Sequence, residues 1–198
     1  MLKRTFDIMV CSISLIIVLP LAAVVAALIK LTSKGPVIFK QRRIGLHKRE
    51  FDIYKFRTMY QDAPANIATH LLARPGQFIT PLGKFLRKSS LDELPQVFNI
   101  LKGDMSIVGP RPALYNQYDL VELRDECGVN DVRPGITGLA QINGRDELPI
   151  PVKVEFDRRY VESRSLWLDV KIMVKTVFKV FGQKGVVEGA NIPESSDK

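Results

Sequence analysis

The sequence predicts a small mixed α/β, mainly helical, membrane-associated domain with an N-terminal re-entrant membrane helix and amphipathic interfacial helices. Three observations predict it. No residue from Ile8 to Ile29 is charged. Two short β-branched and aromatic runs between residues 36 and 59 flank a basic turn. Much of the remaining chain spaces its apolar residues at helical intervals. The resulting divisions are 1–34 for the membrane helix and its basic flank, 35–182 for the globular domain, and 183–198 for a loose C-terminal tail rich in Gly, Pro and Ser.

As a straight helix the uncharged run would reach about 33 Å, enough to cross a bilayer core. A cleaved signal peptide fits less well, because the run is long and no small-residue cleavage site precedes Lys30. Two features favour a helix that enters and leaves by one face. Pro20 lies mid-run, where it removes a backbone donor and crowds the preceding turn. Cations occupy both flanks, with Lys3 and Arg4 before the run and Lys30, Lys34, Lys40, Arg42 and Arg43 after it, and the positive-inside rule then places both ends on the cytoplasmic side. Ser12 and Ser14 stand close enough to serve backbone groups freed by a bend.

The net charge of +8 is concentrated around this segment. Residues 1–60 hold eleven Lys or Arg against three Asp or Glu, and beyond residue 60 the two signs balance. Basic residues beside a membrane attract anionic headgroups at about 1 kcal/mol each. Nucleic acid also attracts cations, but here they flank an apolar run rather than an aromatic platform, so no nucleic-acid partner is expected. Two cysteines, Cys11 and Cys127, give no disulfide framework, and His47 and His70 make no metal-ligand pattern.

Val37–Gln41 and Phe51–Phe56 read as strands around Arg42–Glu50, a turn containing Gly45. Residues 61–80 are polar and loop-like. Residues 81–101 read as helical through Leu82, Phe85 and Leu86 and then Leu94, Val97, Phe98 and Leu101, with Gly103 as a C-cap. A helix is expected over 113–127, turn-rich loops over 133–138 and 143–145, and two further helices over 152–163 and 166–181. In the last of these, Lys171, Lys175 and Lys179 fall four apart, the pattern of a helix lying on a membrane surface or of a packed helix with a solvated stripe.

The chemistry-bearing stretch is Ser89–Gln96 with Gly109-Pro110-Arg111-Pro112. Ser90-Leu91-Asp92-Glu93 fits a capping box, the plain structural reading of the two carboxylates. Pro95 argues against it, since it would stand where a helix capped at Ser90 first needs its donor, so Asp92 and Glu93 are expected at a bend between two helices. Arg87 and Lys88 precede the pair, and two prolines hold Arg111 in a stiff extended loop. A guanidinium fork matches phosphate oxygens, and a carboxylate ligates an Mg²⁺ that bridges a diphosphate. Carboxylates alone repel phosphate, whereas carboxylate, Mg²⁺ and arginine together bind it. Lys55 and Arg57 add two cations on one face of a strand, and Arg133 and Arg145 stand near glycines that let the backbone approach a nucleotide.

Lys55–Met59, Ser90–Gln96, Lys102–Ser106, Val108–Pro112 and Arg133–Gly138 through Asn143–Arg145, five blocks in order across Lys3 to about Val180, resemble the bacterial sugar transferases, the monotopic polyprenyl-phosphate phosphoglycosyl transferases. The chain is similar to the small form, equivalent to the family's catalytic unit. The resemblance implies a re-entrant helix in the bacterial inner membrane and a catalytic domain on its cytoplasmic face. It also implies transfer of a sugar 1-phosphate from a UDP-sugar to undecaprenyl phosphate with release of UMP, an N-acetylated sugar being the expected donor. Asp92 resembles the nucleophile that forms a phosphosugar-enzyme intermediate and a ligand of Mg²⁺, with Glu93 its dyad partner. Lys55, Arg57, Arg87, Arg111, Arg133 and Arg145 are the expected substrate-binding cations, and a homodimer is the expected assembly. One departure is that Leu19-Pro20 stands where family members often carry Ser-Pro. The competing reading is a membrane-tethered interaction module without catalysis, in which Asp92 and Glu93 merely cap a helix.

Overall fold

The computed structural model describes residues 2–64, 75–144 and 148–181. The expected C-terminal tail and much of the 61–80 loop lie outside them. Helix α1 (Leu2–Thr32) is a single element that continues through Pro20. Only 11% of its most apolar window is buried against the protein, too little for the core helix of a globular domain. Its exposed face carries Ile13, Ile16, Ile17 and Leu19.

Both ends of α1 are bound to the globular domain. At the start, Lys3 Nζ donates to Asp169 Oδ2 at 2.6 Å. Arg4 donates to the carbonyls of Ile100 (2.6 Å) and Leu101 (3.0 Å), pairing acceptors that the end of a helix leaves open. Asp7, buried, accepts from Ser106 Oγ at 2.7 Å and from the Ile107 N–H at 3.3 Å. At the far end Val25 and Ile29 pack with Phe56 and Leu86, and Arg57 Nη2 donates to the carbonyl and hydroxyl oxygens of Ser33.

Strands β1 (Ile38–Ile44) and β2 (Glu50–Phe56) form the expected antiparallel hairpin, in register from Ile38 opposite Phe56 to Ile44 opposite Glu50. The turn needs left-handed backbone at His47 and Lys48 (φ 52° and 60°). The hairpin is stitched to the following helices by Asn99, which has no exposed surface. Its Oδ1 accepts from the Tyr54 N–H and its Nδ2 donates to the Asp52 carbonyl.

The helical stretch over 81–101 breaks as the position of Pro95 requires. Helix α2 (Pro81–Lys88) starts at Thr80, whose hydroxyl accepts from the Gly83 N–H at 2.9 Å with Pro81 in the first turn. A 3-10 turn at Leu91–Glu93 follows, then α3 (Gln96–Lys102), which Gly103 ends at φ 97°. Gly83 lets α2 lie directly on the end of β2, since a Cβ there would come within 2.0 Å of the Thr58 carbonyl oxygen.

Residues 133–138 contain more than the expected loop. Strand β4 (Gly135–Thr137) pairs in parallel with β3 (Ser106–Val108), a ladder too short to leave a periodic signal in either run. Helix α4 (Tyr118–Glu126) lies between the two strands and starts later than the expected 113. Then come α5 (Leu139–Asn143), α6 (Ile150–Ser163) and α7 (Leu166–Phe181). One core joins Cys11 of α1 to Ile53, Val97, Ile100, Met105, Ile107, Ile142, Tyr160 and Ile172. The Tyr160 hydroxyl lies 2.8 Å from Asp169 Oδ1, so the carboxylate that holds Lys3 is itself fixed by α6.

Replacing Asp7 by Ala leaves the Ser106 hydroxyl and the Ile107 N–H without their partner. The expected outcome is a loss of about 1–3 kcal/mol, read as a lower melting temperature in detergent.

Candidate active site

Asp92 and Glu93 share the 3-10 turn between α2 and α3, as expected. The capping box does not form. Ser90 is left-handed (φ 57°, ψ 16°), and its side chain makes no cap hydrogen bond. A serine in that region costs about 1–3 kcal/mol, a cost that persists only where the surroundings impose it. Glu93 instead turns toward two cations. Its Oε1 accepts from Lys55 Nζ at 2.8 Å and from Arg111 Nη2 at 3.0 Å.

The two neighbouring carboxyls are thereby driven apart. Burial pushes Glu93 up, but the charges and hydrogen bonds of Lys55 and Arg111 overcome it and hold its carboxyl well below the usual range. Asp92 is 8% exposed. Burial raises it to about 6, with Lys55 offsetting part of the rise and the Glu93 charge adding to it. Arg87 and Arg111 also act on Asp92 and favour its charged form. Arg87 is held in turn by Thr58, to whose hydroxyl its Nε donates at 2.9 Å. The arrangement is one committed anion neutralised by cations beside one carboxyl whose charged form burial disfavours.

Arg111 is fixed by its backbone. The Gly109 N–H donates to Thr137 O at 2.8 Å and the Gly135 N–H to Pro110 O at 2.9 Å. This approach admits no side chain at Gly109, where a Cβ would fall 2.4 Å from the Arg133 carbonyl oxygen. Arg43 donates to the Pro112 carbonyl at 3.0 Å. A buried ion pair completes the support, with Arg124 donating through Nη2 and Nε to Asp157 Oδ2 (2.6 and 3.0 Å) and through Nη1 to the Arg111 carbonyl at 2.9 Å.

Of the expected site residues, Asp92, Glu93, Lys55, Arg87 and Arg111 form this cluster. Arg57 is engaged with Ser33 at the end of α1, and Arg133 Nε donates to the Gly103 carbonyl at 2.8 Å, bracing the end of α3. Arg145 lies outside the described residues. Sequence reasoning missed Arg124, Asp157 and Asn99. Arg124 and Asp157 sit on helices α4 and α6, distant in sequence, and only their packing brings them together behind Arg111.

Fold and site together combine one long apolar helix with a buried carboxyl ringed by cations. The chain belongs to the bacterial sugar transferase family, whose sequence profile matches residues 1–183. It is 44% identical to a UDP-glucose:undecaprenyl-phosphate glucose-1-phosphate transferase of Klebsiella pneumoniae, over 92% of this chain and 40% of that protein. It is 43% identical to a UDP-N-acetylgalactosamine-undecaprenyl-phosphate N-acetylgalactosaminephosphotransferase of Aeromonas hydrophila, over 89% of this chain and 43% of the relative. An exopolysaccharide production protein of Rhizobium meliloti is 37% identical over 93% of this chain and 88% of its own length. The chain thus spans about two-fifths of the first two relatives and most of the third.

Arg124→Ala strands the Asp157 charge in the interior and is expected to cost about 3–5 kcal/mol. The double replacement Arg124→Met with Asp157→Leu recovers most of that loss in thermal denaturation. A second outcome follows from the raised pKa of Asp92. Because the folded-state value near 6 lies above the ordinary 3.8, ionisation costs stability above about pH 6 and nothing below about pH 3.8. Asp92→Asn in EDTA is therefore more stable than the parent at pH 8 by about 1–3 kcal/mol, and the difference closes toward pH 4.

Proposed function

We propose that the chain transfers a sugar 1-phosphate from a UDP-sugar to undecaprenyl phosphate, releasing UMP, through a covalent intermediate on Asp92. The observation that carries the reading is the Asp92–Glu93 turn itself. Lys55 and Arg111 neutralise Glu93, and Asp92 remains the one carboxyl of the pair without a committed salt bridge among the described residues. A carboxylate oxygen of Asp92 attacks the sugar-bearing phosphorus, the bond from that phosphorus to the bridging oxygen breaks, and UMP leaves with the electron pair. An oxygen of the lipid phosphate then attacks the same phosphorus and releases the Asp92 carboxylate, leaving a lipid diphosphosugar. Arg111 and Arg87 favour the negative charge that builds on the phosphoryl oxygens. Splitting one displacement into two lets the soluble nucleotide leave before the lipid enters.

Mg²⁺ belongs to the same reading. No group of three or more Asp, Glu, His or Cys ligands occurs among the described residues. The site fits a cation held by Asp92 together with the donor's diphosphate and water, the usual mode for Mg²⁺, and not a closed protein cage. When bound, it supplies positive charge against the diphosphate.

The chain is further proposed to sit in the bacterial inner membrane with α1 re-entrant and the domain on the cytoplasmic face. The support is that Asp7 and Ser33, near opposite ends of α1, bond to the same domain while one face of the helix, with Ile13, Ile16, Ile17 and Val24, is bare. Helix α7 fits the adjoining interface. Trp167, Val174 and Phe178 are exposed together with Lys171 and Lys175, and the Lys171 ammonium lies 5.1 Å from the Trp167 ring centre.

Rapid acid quenching with labelled donor tests the chemistry, with UDP-glucose and UDP-N-acetylgalactosamine the first donors to try. The expected result is Mg²⁺-dependent UMP release and a labelled protein, with Asp92→Asn reducing turnover by at least about 10³-fold. Ordinary turnover in that variant would remove the nucleophile assignment. For topology, Leu2→Cys and Lys34→Cys, each in a Cys11→Ala, Cys127→Ser background, are expected to resist an impermeant maleimide in intact cells and react after permeabilisation. Opposite behaviour of the two positions contradicts re-entry.

A further inference from the structure

A cavity of about 290 Å³ lies between α1, α3, α5 and α7, close to the lower end of ordinary ligand pockets, about 300–1,000 Å³. Val10 and Val18 of α1, Val97 of α3 and Ile142 of α5 give it an apolar wall. Helix α1 is thus both a wall of this space and the element whose outer face presents bare Ile13, Ile16 and Ile17.

The same cavity carries charge. Glu93 and Arg111 line it, so it adjoins the Asp92 turn, and Lys179 of α7 lines it as well. Glu93 is already neutralised by its two partners, which leaves the lining able to receive an anion.

Gln141 supplies an independent observation. It lines the cavity and is 5% exposed, yet neither its amide nitrogen nor its amide oxygen has a hydrogen-bond partner in the protein. Buried amides are almost always paired, and an unpaired one inside a cavity marks a place for a polar ligand atom. An apolar chain alone leaves that amide unpaired, and a UDP-sugar alone sets polar groups against valine and isoleucine. A ligand with an apolar chain and an anionic head satisfies both.

We infer that this cavity is the acceptor subsite. The phosphate-proximal isoprene units of a polyprenyl phosphate lie against Val10, Val18, Val97 and Ile142, the phosphate faces Arg111 and Lys179, and the Gln141 amide donates to a phosphate oxygen. The assignment deepens the transferase reading and rests on it for the choice of lipid.

The test is photocrosslinking of the full chain in nanodiscs with a polyprenyl phosphate bearing a diazirine in its second isoprene unit. Crosslinks are expected in peptides from α1 around Val10–Val18 and from α3, displaced by unlabelled polyprenyl phosphate and not by the corresponding prenol. Gln141→Leu is expected to raise the KM for the lipid about ten-fold, the effect of one lost hydrogen bond to a charged oxygen. Val18→Trp, a change at a half-buried position on the cavity wall, is expected to abolish the crosslink by filling the space while the protein keeps its melting temperature to within a few degrees. Crosslinks confined to the outer face of α1 or to the β1–β2 hairpin overturn the subsite, as does an unchanged KM in Gln141→Leu together with an unchanged crosslink in Val18→Trp. The two readings fail separately. UMP release by a parent protein that crosslinks only elsewhere overturns the subsite alone. Displaceable crosslinking in the cavity by a parent protein that turns over no UDP-sugar overturns the transferase reading and leaves the lipid site in place.

Discussion

Asp7 accepts hydrogen bonds from Ser106 and Ile107 at the head of an otherwise greasy helix, and the architecture follows from that attachment. A buried carboxylate is tolerated only where donors meet it, so the first turns of α1 are bound to β3. Lys3 on Asp169 and Arg4 on the end of α3 reinforce the same attachment. Arg57 on Ser33 then binds the other end of the helix to the end of β2. Between the two anchors one apolar face of the helix stays bare, and this is the physical ground for the proposed seat of α1 in the membrane. The attachment also places the helix against α3, and α3 follows the turn that bears Asp92 and Glu93.

Two adjacent carboxyls receive opposite environments within that turn. Glu93 takes Lys55 and Arg111 and stays ionised, while Asp92 is buried with charges around it but no salt bridge of its own among the described residues. Such divergence is how a site separates roles between chemically similar groups. The arrangement depends on rigidity behind it. Arg111 is held through its carbonyl by Arg124, which is held by Asp157, and through the backbone of Gly109 and Pro110 by β4. A guanidinium fixed by its main chain meets phosphate with little ordering left to do. The cavity between α1 and α7 is lined by Ser90, Glu93 and Leu94 of this same turn and its flank.

Local patterns made much of this legible. The uncharged run Ile8–Ile29, the β-branched and aromatic runs around Arg42–Glu50 and the proline at 95 are short-range features; they produced a long apolar helix, though one that continues through Pro20, a pair of strands, and a break between two helices. Pro95 in particular separates α2 from α3 and leaves Asp92 and Glu93 in the turn between them, because a proline cannot supply the donor a continuous helix needs there. The β3–β4 ladder was not legible, since three residues a side carry no period and their pairing spans an intervening helix.

By itself the sequence determined the membrane segment, the hairpin, the turn bearing Asp92 and Glu93, and the family blocks, all of which depend on residues close together in the chain. Only the tertiary structure decided which cations meet Glu93. Lys55 and Arg111 reach it and Arg133 braces the end of α3 instead, though Arg111 and Arg133 alike stand beside a proline and two residues from a glycine. It alone also decided that Arg124 and Asp157 stand behind Arg111 and that Gln141 faces a cavity. Long-range contact and desolvation set those outcomes, and both depend on elements brought together by packing from distant parts of the chain.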